Sequence, residues 1–156
     1  MVFQSRSGSR GARQPRGVFL KWFNKLAVSR IRKGRGQVGG LKTLVLNTIG
    51  AKSGEPRSTP VGWFPGEDDS WLVVASAAGA AKNPAWYHNV AANPDRVSID
   101  LEGDHVEVVA EQMHGDERDR TWRSIVAAAP RYGGYVEKTD REIPVIKLTR
   151  RPGHTD

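Results

Sequence analysis

Two groups of side chains carry the chemistry this chain could do. Trp86, Tyr87, His88 and Asn89 set an indole, a phenol, an imidazole and a carboxamide side by side, bounded by Pro84 and Pro94. Such a run suits one wall of a site for a planar, polar ligand. It suits equally well a pair of core aromatics beside a hydrogen-bonded histidine. Lys52 and Arg57 stand on either side of Gly54, with Ser53, Ser58 and Thr59 as further donors. An ammonium, a fork-shaped guanidinium, hydroxyls and exposed backbone N–H groups together fit a phosphate or carboxylate. The plainer alternative is a solvated hairpin turn, and there is no G-x-x-x-x-G-K-[ST] match.

Other chemistries find little support. No G-x-S-x-G elbow is present, and no Ser pairs with His and Asp at a recognisable spacing. His88, His105, His114 and His154 make no metal-binding pattern, and the chain has no cysteine. Metal and thiolate chemistry are therefore not expected. Ser76 follows an apolar run ending at Ala75, where its hydroxyl could meet a ligand carbonyl or simply end a strand. Tyr132 and Tyr135 flank Gly133 and Gly134 and read as a loop, in which a phenol could serve as lid and hydrogen-bond donor.

These residues need elements to position them. Leu41–Ile49 is rich in Leu, Val and Thr and reads as a strand ended by Gly50; residues 57–64 return after the turn. Trp71–Ala75 follows a Pro-Gly-acidic turn, residues 96–101 and 105–112 flank the turn at Gly103, and residues 143–148 end the fold. Asn83 is placed to cap a helix beginning at Pro84 and running to about Ala92. Asp116 is placed to cap a second, with Trp122, Ile125, Val126 and Ala129 on one face and Pro130 as its stop. Six short strands joined mostly by tight turns favour a mainly β fold, a closed barrel and not a doubly wound sheet.

The first third differs from the rest. At 156 residues the chain suits one domain. Residues 1–54 hold 12 Lys or Arg and no acid, whereas residues 55–156 hold 12 basic and 17 acidic residues. This asymmetry points to an anionic partner. Residues 1–14 read as a disordered basic tail. Residues 15–35 read as a basic amphipathic helix, with Val18, Phe19, Trp22, Phe23 and Leu26 on one arc and Lys21, Asn24 and Lys25 opposite. Three roles stay open for it: packing on the barrel or on a second subunit, lying on an anionic membrane surface, or binding nucleic acid. The last lacks any supporting motif, so no nucleic-acid partner is expected. No apolar run reaches the roughly 18 residues of a transmembrane helix, and nothing reads as a signal peptide. A cytoplasmic protein is expected, with the inner membrane face as an optional docking surface.

The chain resembles the deazaflavin-dependent nitroreductase family of actinobacteria. The resemblance is carried by Leu46 to Pro60 around K-S-G-E-P-R, by Val73–Ser76, by N-P-A-W-Y-H-N at 83–89 with A-N-P at 92–94, and by K-T-D-R-E-I-P-V at 138–145. It implies a split β-barrel over residues 36–152 that binds coenzyme F420, an 8-hydroxy-5-deazaflavin with a phosphate and an oligoglutamate tail. The reduced coenzyme would pass a hydride to a quinone or a nitroaromatic acceptor. A related split-barrel reductase using flavin mononucleotide is the alternative, and a non-catalytic deazaflavin-binding or membrane-associated protein is the rival.

Site residues carry over by position. The resemblance assigns Lys52, Ser53 and Arg57 to the phosphate and tail, and Ser58, Thr59, Pro60 and Val61 to the ring. Ala75, Ser76, Ala85, Trp86, Tyr87, His88, Asn89 and Tyr132 are further cofactor contacts. Ser76, Tyr132 and Tyr135 match positions of the acceptor pocket and are the catalytic candidates. Ala51, Ala77 and Ala129 depart from the family pattern, where an arginine, a lysine and a tyrosine are often found. Barrels of this type often pair, so a homodimer is a further expectation.

Overall fold

A computed structural model describes residues 3, 11, 18–34, 37–38, 41–76, 83–138 and 142–152. Helix α1 (Val18–Arg32) leads by way of the short strand β1 (Gln37–Val38) into β2 (Leu41–Ile49). Then follow β3 (Pro56–Pro65), β4 (Trp71–Val74), α2 (Ala85–Ala92), β5 (Val97–Leu101) and β6 (Asp104–Gln112). Helices α3 (Gly115–Ala128) and α4 (Arg131–Lys138) precede β7 (Val145–Arg150).

All strand pairs are antiparallel. They run β2-β3-β4-β7-β6-β5, and β2 closes the circle by pairing Val45–Asn47 with Ser98–Asp100 of β5. This is the closed, mainly β barrel expected from the strand spacing. The turns use the backbone their residues permit. Glu102 and Gly103 both have positive φ, 51° and 85°, as a two-residue hairpin of matching twist requires. Gly50 lies so close to Ser53 that a Cβ would fall 2.5 Å from its hydroxyl. A side chain there would force the Ser53 hydroxyl to turn away.

Period-two alternation fills the barrel. Leu44, Leu46, Val73, Val97, Ile99, Val108, Ile146 and Leu148 point inward and are fully or nearly fully buried. Trp86, Tyr87 and Val90 of α2 join this interior. A second core lies outside the barrel wall, where Phe64, Leu72, Val74 and Val145 meet Ile125, Ala129, Tyr132 and Ile143. A third is small: Val28 and Ile31 of α1 pack on Val45.

Several local expectations need correction. The Tyr132–Tyr135 segment is not a loop but the first turn of α4. Gly133 there lets α4 approach α3, since a Cβ would sit 3.2 Å from the Val126 side chain. Close helix packing, not freedom of the chain, explains that glycine. Pro84, not Asn83, occupies the N-cap position of α2, and Asn83 is buried. His114 stands at the N-cap of α3, with Asp116 and Glu117 in the first turn, where carboxylates favour the positive end of the helix. Leu26, assigned to the apolar arc of α1, is 47% exposed, and the helix buries Val28 and Ile31 instead. The side chains of Val18, Phe19, Trp22 and Phe23 lie outside the described residues, as does most of the 1–14 tail. Phe3 packs edge-on against Tyr87 with ring centroids 6.1 Å apart.

Candidate functional site

The turn between β2 and β3 is tightly knit. Gly50 N–H donates to the Glu55 carbonyl at 2.8 Å, Gly54 N–H to the Gly50 carbonyl at 2.9 Å, and Glu55 N–H to Ser53 Oγ at 3.2 Å. Lys52 and Ser53 are exposed at its tip. The Arg57 guanidinium reaches back along the turn to Glu55 Oε2 at 3.5 Å, Ser53 Oγ at 3.4 Å and the Pro56 carbonyl at 3.3 Å. Its donors already face a carboxylate.

Helix α2 is fastened to this turn. Ala51 N–H donates to Asn89 Oδ1 at 2.9 Å, and Asn89 Nδ2 donates to Thr48 Oγ1 at 3.4 Å. The W-Y-H-N run therefore divides its work. Trp86 and Tyr87 bury their rings in the barrel, and Tyr87 donates its hydroxyl to Gln112 Oε1 at 2.6 Å. Burial pushes the Tyr87 phenol above its ordinary pKa. Ala85 and His88 are exposed, His88 with its ring edge against Tyr87 at 5.6 Å between centroids. The wall of three rings and a carboxamide read from sequence is thus two core residues, one exposed imidazole and one pin.

Strand β3 separates its candidates by face. Val61 packs toward the interior with Trp63, which puts Thr59 on the same side. Ser58 and Pro60 alternate outward, on the side of Phe64. Ala75 is fully buried inside and gives its N–H to the Pro144 carbonyl at 2.9 Å. Ser76 follows on the outward side of Val74 and is half-buried. Tyr132 is buried on that outer side, edge-on to Phe64 at 5.5 Å and to Tyr135 at 5.3 Å. Burial, with Tyr135 adding to it, pushes its phenol above the usual range, so it stays a neutral hydrogen-bond donor at ordinary pH.

Strand β3 runs between these groups. From Arg57 to Phe64 an extended strand covers roughly 20 Å at about 3.3 Å per residue. One end carries Lys52, Ser53 and Arg57, and the other lies under Tyr132.

Reasoning from sequence missed a polar network beside Ser58. Arg32 of α1 donates from Nε to Asp100 Oδ2 at 3.1 Å and from Nη2 to Asn47 Oδ1 at 3.0 Å and Ser58 Oγ at 3.1 Å. Asp100 also pairs with His105 Nδ1 at 2.5 Å, and His105 Nε2 lies 3.3 Å from Glu107. Burial alone would raise the Asp100 pKa. The bonds from Asn47, His105 and Arg32 outweigh it and hold the carboxyl below its usual range. The bond to Asp100, helped by Glu107, raises the His105 pKa. A lone Asn47 in an apolar strand was the one visible signal.

A separate cleft of about 730 Å³ lies between α3 and the β4–β7 wall, lined by Glu67, Ser70, Glu117, Arg120, Ser124 and Lys147 among others. It mixes both signs of charge and contains none of the expected site residues. No group of three or more His, Asp or Glu that could hold a metal occurs among the described residues.

Comparison with known proteins agrees with this architecture. The sequence model of the family described as F420H(2)-dependent quinone reductase matches residues 22–150. An F420H(2)-dependent quinone reductase of Mycobacterium tuberculosis is 40% identical over 116 residues, spanning 72% of this chain and 76% of that one. A solved F420-H2 dependent reductase superposes with a TM-score of 0.61 at 38% identity, covering 69% of this chain and 93% of the other. A second solved relative, described as a domain-swapped dimer, gives a TM-score of 0.62 at 33% identity over 83% and 98% of the two chains. By the extent of the family match and by the identity to its relatives, the chain belongs to the F420H(2)-dependent quinone reductase family.

Proposed function

We propose that this protein is an F420H2-dependent oxidoreductase that reduces a quinone. The observation that carries the reading is the exposed cationic turn, where Lys52, Ser53 and Arg57 stand together and helix α2 is fastened through Asn89. Its residues fit the coenzyme. Arg57 already directs its guanidinium at the Glu55 carboxylate, the donor geometry a phosphate or glutamate oxygen needs.

When bound, the reduced deazaflavin supplies the hydride, which is why no acid–base dyad or nucleophile is needed in the protein. In our assignment Lys52, Ser53 and Arg57 hold the phosphate and tail. Ser58 and Pro60 face the ring from outside the barrel wall, with Ser76 and Ala85 beside it and exposed His88 and the Asn89 pin at the turn end. Thr59, Val61, Ala75, Trp86 and Tyr87 support it from the interior. Ser76, Tyr132 and Tyr135 bound the acceptor, and the Tyr132 phenol, kept neutral by burial, hydrogen-bonds the oxygen that gains charge as the quinone accepts two electrons. Hydride transfer leaves one proton to be added to complete the hydroquinone, and the Tyr132 phenol is assigned as its donor.

The family assignment favours the deazaflavin over flavin mononucleotide. Nitroaromatic reduction is a narrower proposal, because Ala129 leaves a small side chain beside Tyr132. A homodimer is also proposed, supported by the relative described as a domain-swapped dimer. No described helix is long and apolar enough to cross a membrane. The last turns of α1 are committed to the barrel, so a membrane role for that helix gains no support from them. Purified protein should bind F420 at low salt and oxidise F420H2 when menadione is added. Failure to bind would overturn the proposal.

A further inference from the structure

We infer that Arg32, at the end of α1, is a positioning residue for the ring end of the cofactor site: it fixes Ser58 as a hydrogen-bond acceptor. The inference rests on the function proposed above and follows from proton bookkeeping. Arg32 can only donate, and the ionised Asp100 can only accept. Asn47 bonds both, taking Arg32 Nη2 on Oδ1 and giving Nδ2 to Asp100 Oδ2 at 3.0 Å and to Ser98 Oγ at 3.2 Å. Its amide therefore has one possible orientation, with Oδ1 toward Ser58.

Ser58 Oγ lies 2.8 Å from that oxygen and must donate its single proton to it. One of its two lone pairs accepts Arg32 Nη2 at 3.1 Å. What the exposed hydroxyl has left for a ligand is one acceptor lone pair. It cannot bind a phosphate or carboxylate oxygen in this state. It can receive an N–H or O–H, and the uncharged part of a deazaflavin, its ring imide and sugar-alcohol chain, carries such donors. The anionic part is left to Lys52 and Arg57. A helix outside the barrel thereby sets the polarity of a group on the cofactor face.

The test measures binding affinity of the wild type and of Arg32→Gln, Arg32→Lys, Ser58→Ala and Val28→Ala. Two probes are used: F420, and the 8-hydroxy-5-deazaflavin chromophore with its sugar-alcohol chain but without phosphate or tail. Arg32→Gln and Ser58→Ala should each weaken both probes by about tenfold, and the double variant should lose no more than either alone. Arg32→Lys keeps the charge without the fork and should bind as poorly as Arg32→Gln. Val28→Ala loosens the packing of α1 and should lower the unfolding midpoint while leaving affinity unchanged.

Additive losses in the double variant would overturn the inference. So would a loss seen with F420 and absent with the tail-less chromophore, which would make Arg32 an anion ligand. An affinity loss in Val28→Ala equal to that in Arg32→Gln would reduce Arg32 to a simple anchor and overturn it too. If the wild type binds neither probe, the proposed function falls, and this inference with it.

Discussion

Asn89 Oδ1 accepts the backbone N–H of Ala51 at 2.9 Å, which fixes the second helix to the turn that carries Lys52. The bond spans 38 residues of sequence and holds an otherwise exposed turn in one conformation. Asn89→Ala should cost about 1–2 kcal/mol of stability by freeing that N–H and Thr48 of their partner. It should also weaken F420 binding several-fold, although Asn89 itself need not touch the cofactor. Denaturant midpoints and fluorescence titration measure the two effects.

Arg57 and Glu55 make a second prediction. Both side chains are at least half exposed, so their ion pair contributes little to stability. Its interest lies in competition, because Glu55 holds the group an anionic tail requires. Arg57→Ala should weaken F420 binding by about tenfold or more, while the hydride-transfer rate of saturated protein stays within about threefold. Glu55→Gln should tighten binding. Equal losses of affinity and rate in Arg57→Ala would argue against its tail-binding role.

Tyr132 separates packing from chemistry. Its ring is central to the outer core, so Tyr132→Ala should cost about 3–5 kcal/mol. Tyr132→Phe keeps the contacts with Phe64 and Tyr135 and should fold normally. A fall in quinone reduction by Tyr132→Phe, with F420 affinity unchanged, would then isolate the phenol's contribution.

The His105–Asp100 pair predicts a pH dependence of stability. The raised pKa of His105 means that its contribution is complete below about pH 6.5 and fades as pH rises through its folded value. The lowered pKa of Asp100 acts in the opposite sense: its contribution is complete above about pH 4 and is lost on further acidification. Wild type should therefore exceed His105→Asn in stability most clearly near pH 5–6, and the gap should narrow by pH 8.5. Urea melts at the two pH values decide this, and a constant gap would remove the pair from the stability of the fold.

The strands were legible because alternation is a local signal, and β2 through β7 lie within two residues of where it placed them. Tyr132–Tyr135 was not, because two adjacent glycines read as a break. Gly133 is constrained by Val126, which would lie 3.2 Å from a Cβ at that position, and only tertiary packing reveals this. The Lys52–Arg57 segment was legible as a turn between two strands that gathers Lys52, Ser53 and Arg57. Arg32 was not, since its partners Asn47, Ser58 and Asp100 lie 15, 26 and 68 residues away and come from three strands. Trp86 and Tyr87 show the limit of composition, because nothing local tells a buried aromatic from one facing a ligand.

The pairing of β2 with β5 also limits how copies of this chain can meet. Among the described residues, each strand from β2 to β7 has a neighbour on both sides. Pairing is not continuous along them: β3 meets β4 only through Trp63, Phe64 and Pro65, so among the described residues the stretch from Pro56 to Gly62 has a ladder partner on its β2 side alone. Pro56 and Pro60 interrupt that stretch and remove two backbone donors from it, which blunts it as a template for edge-to-edge pairing with another copy.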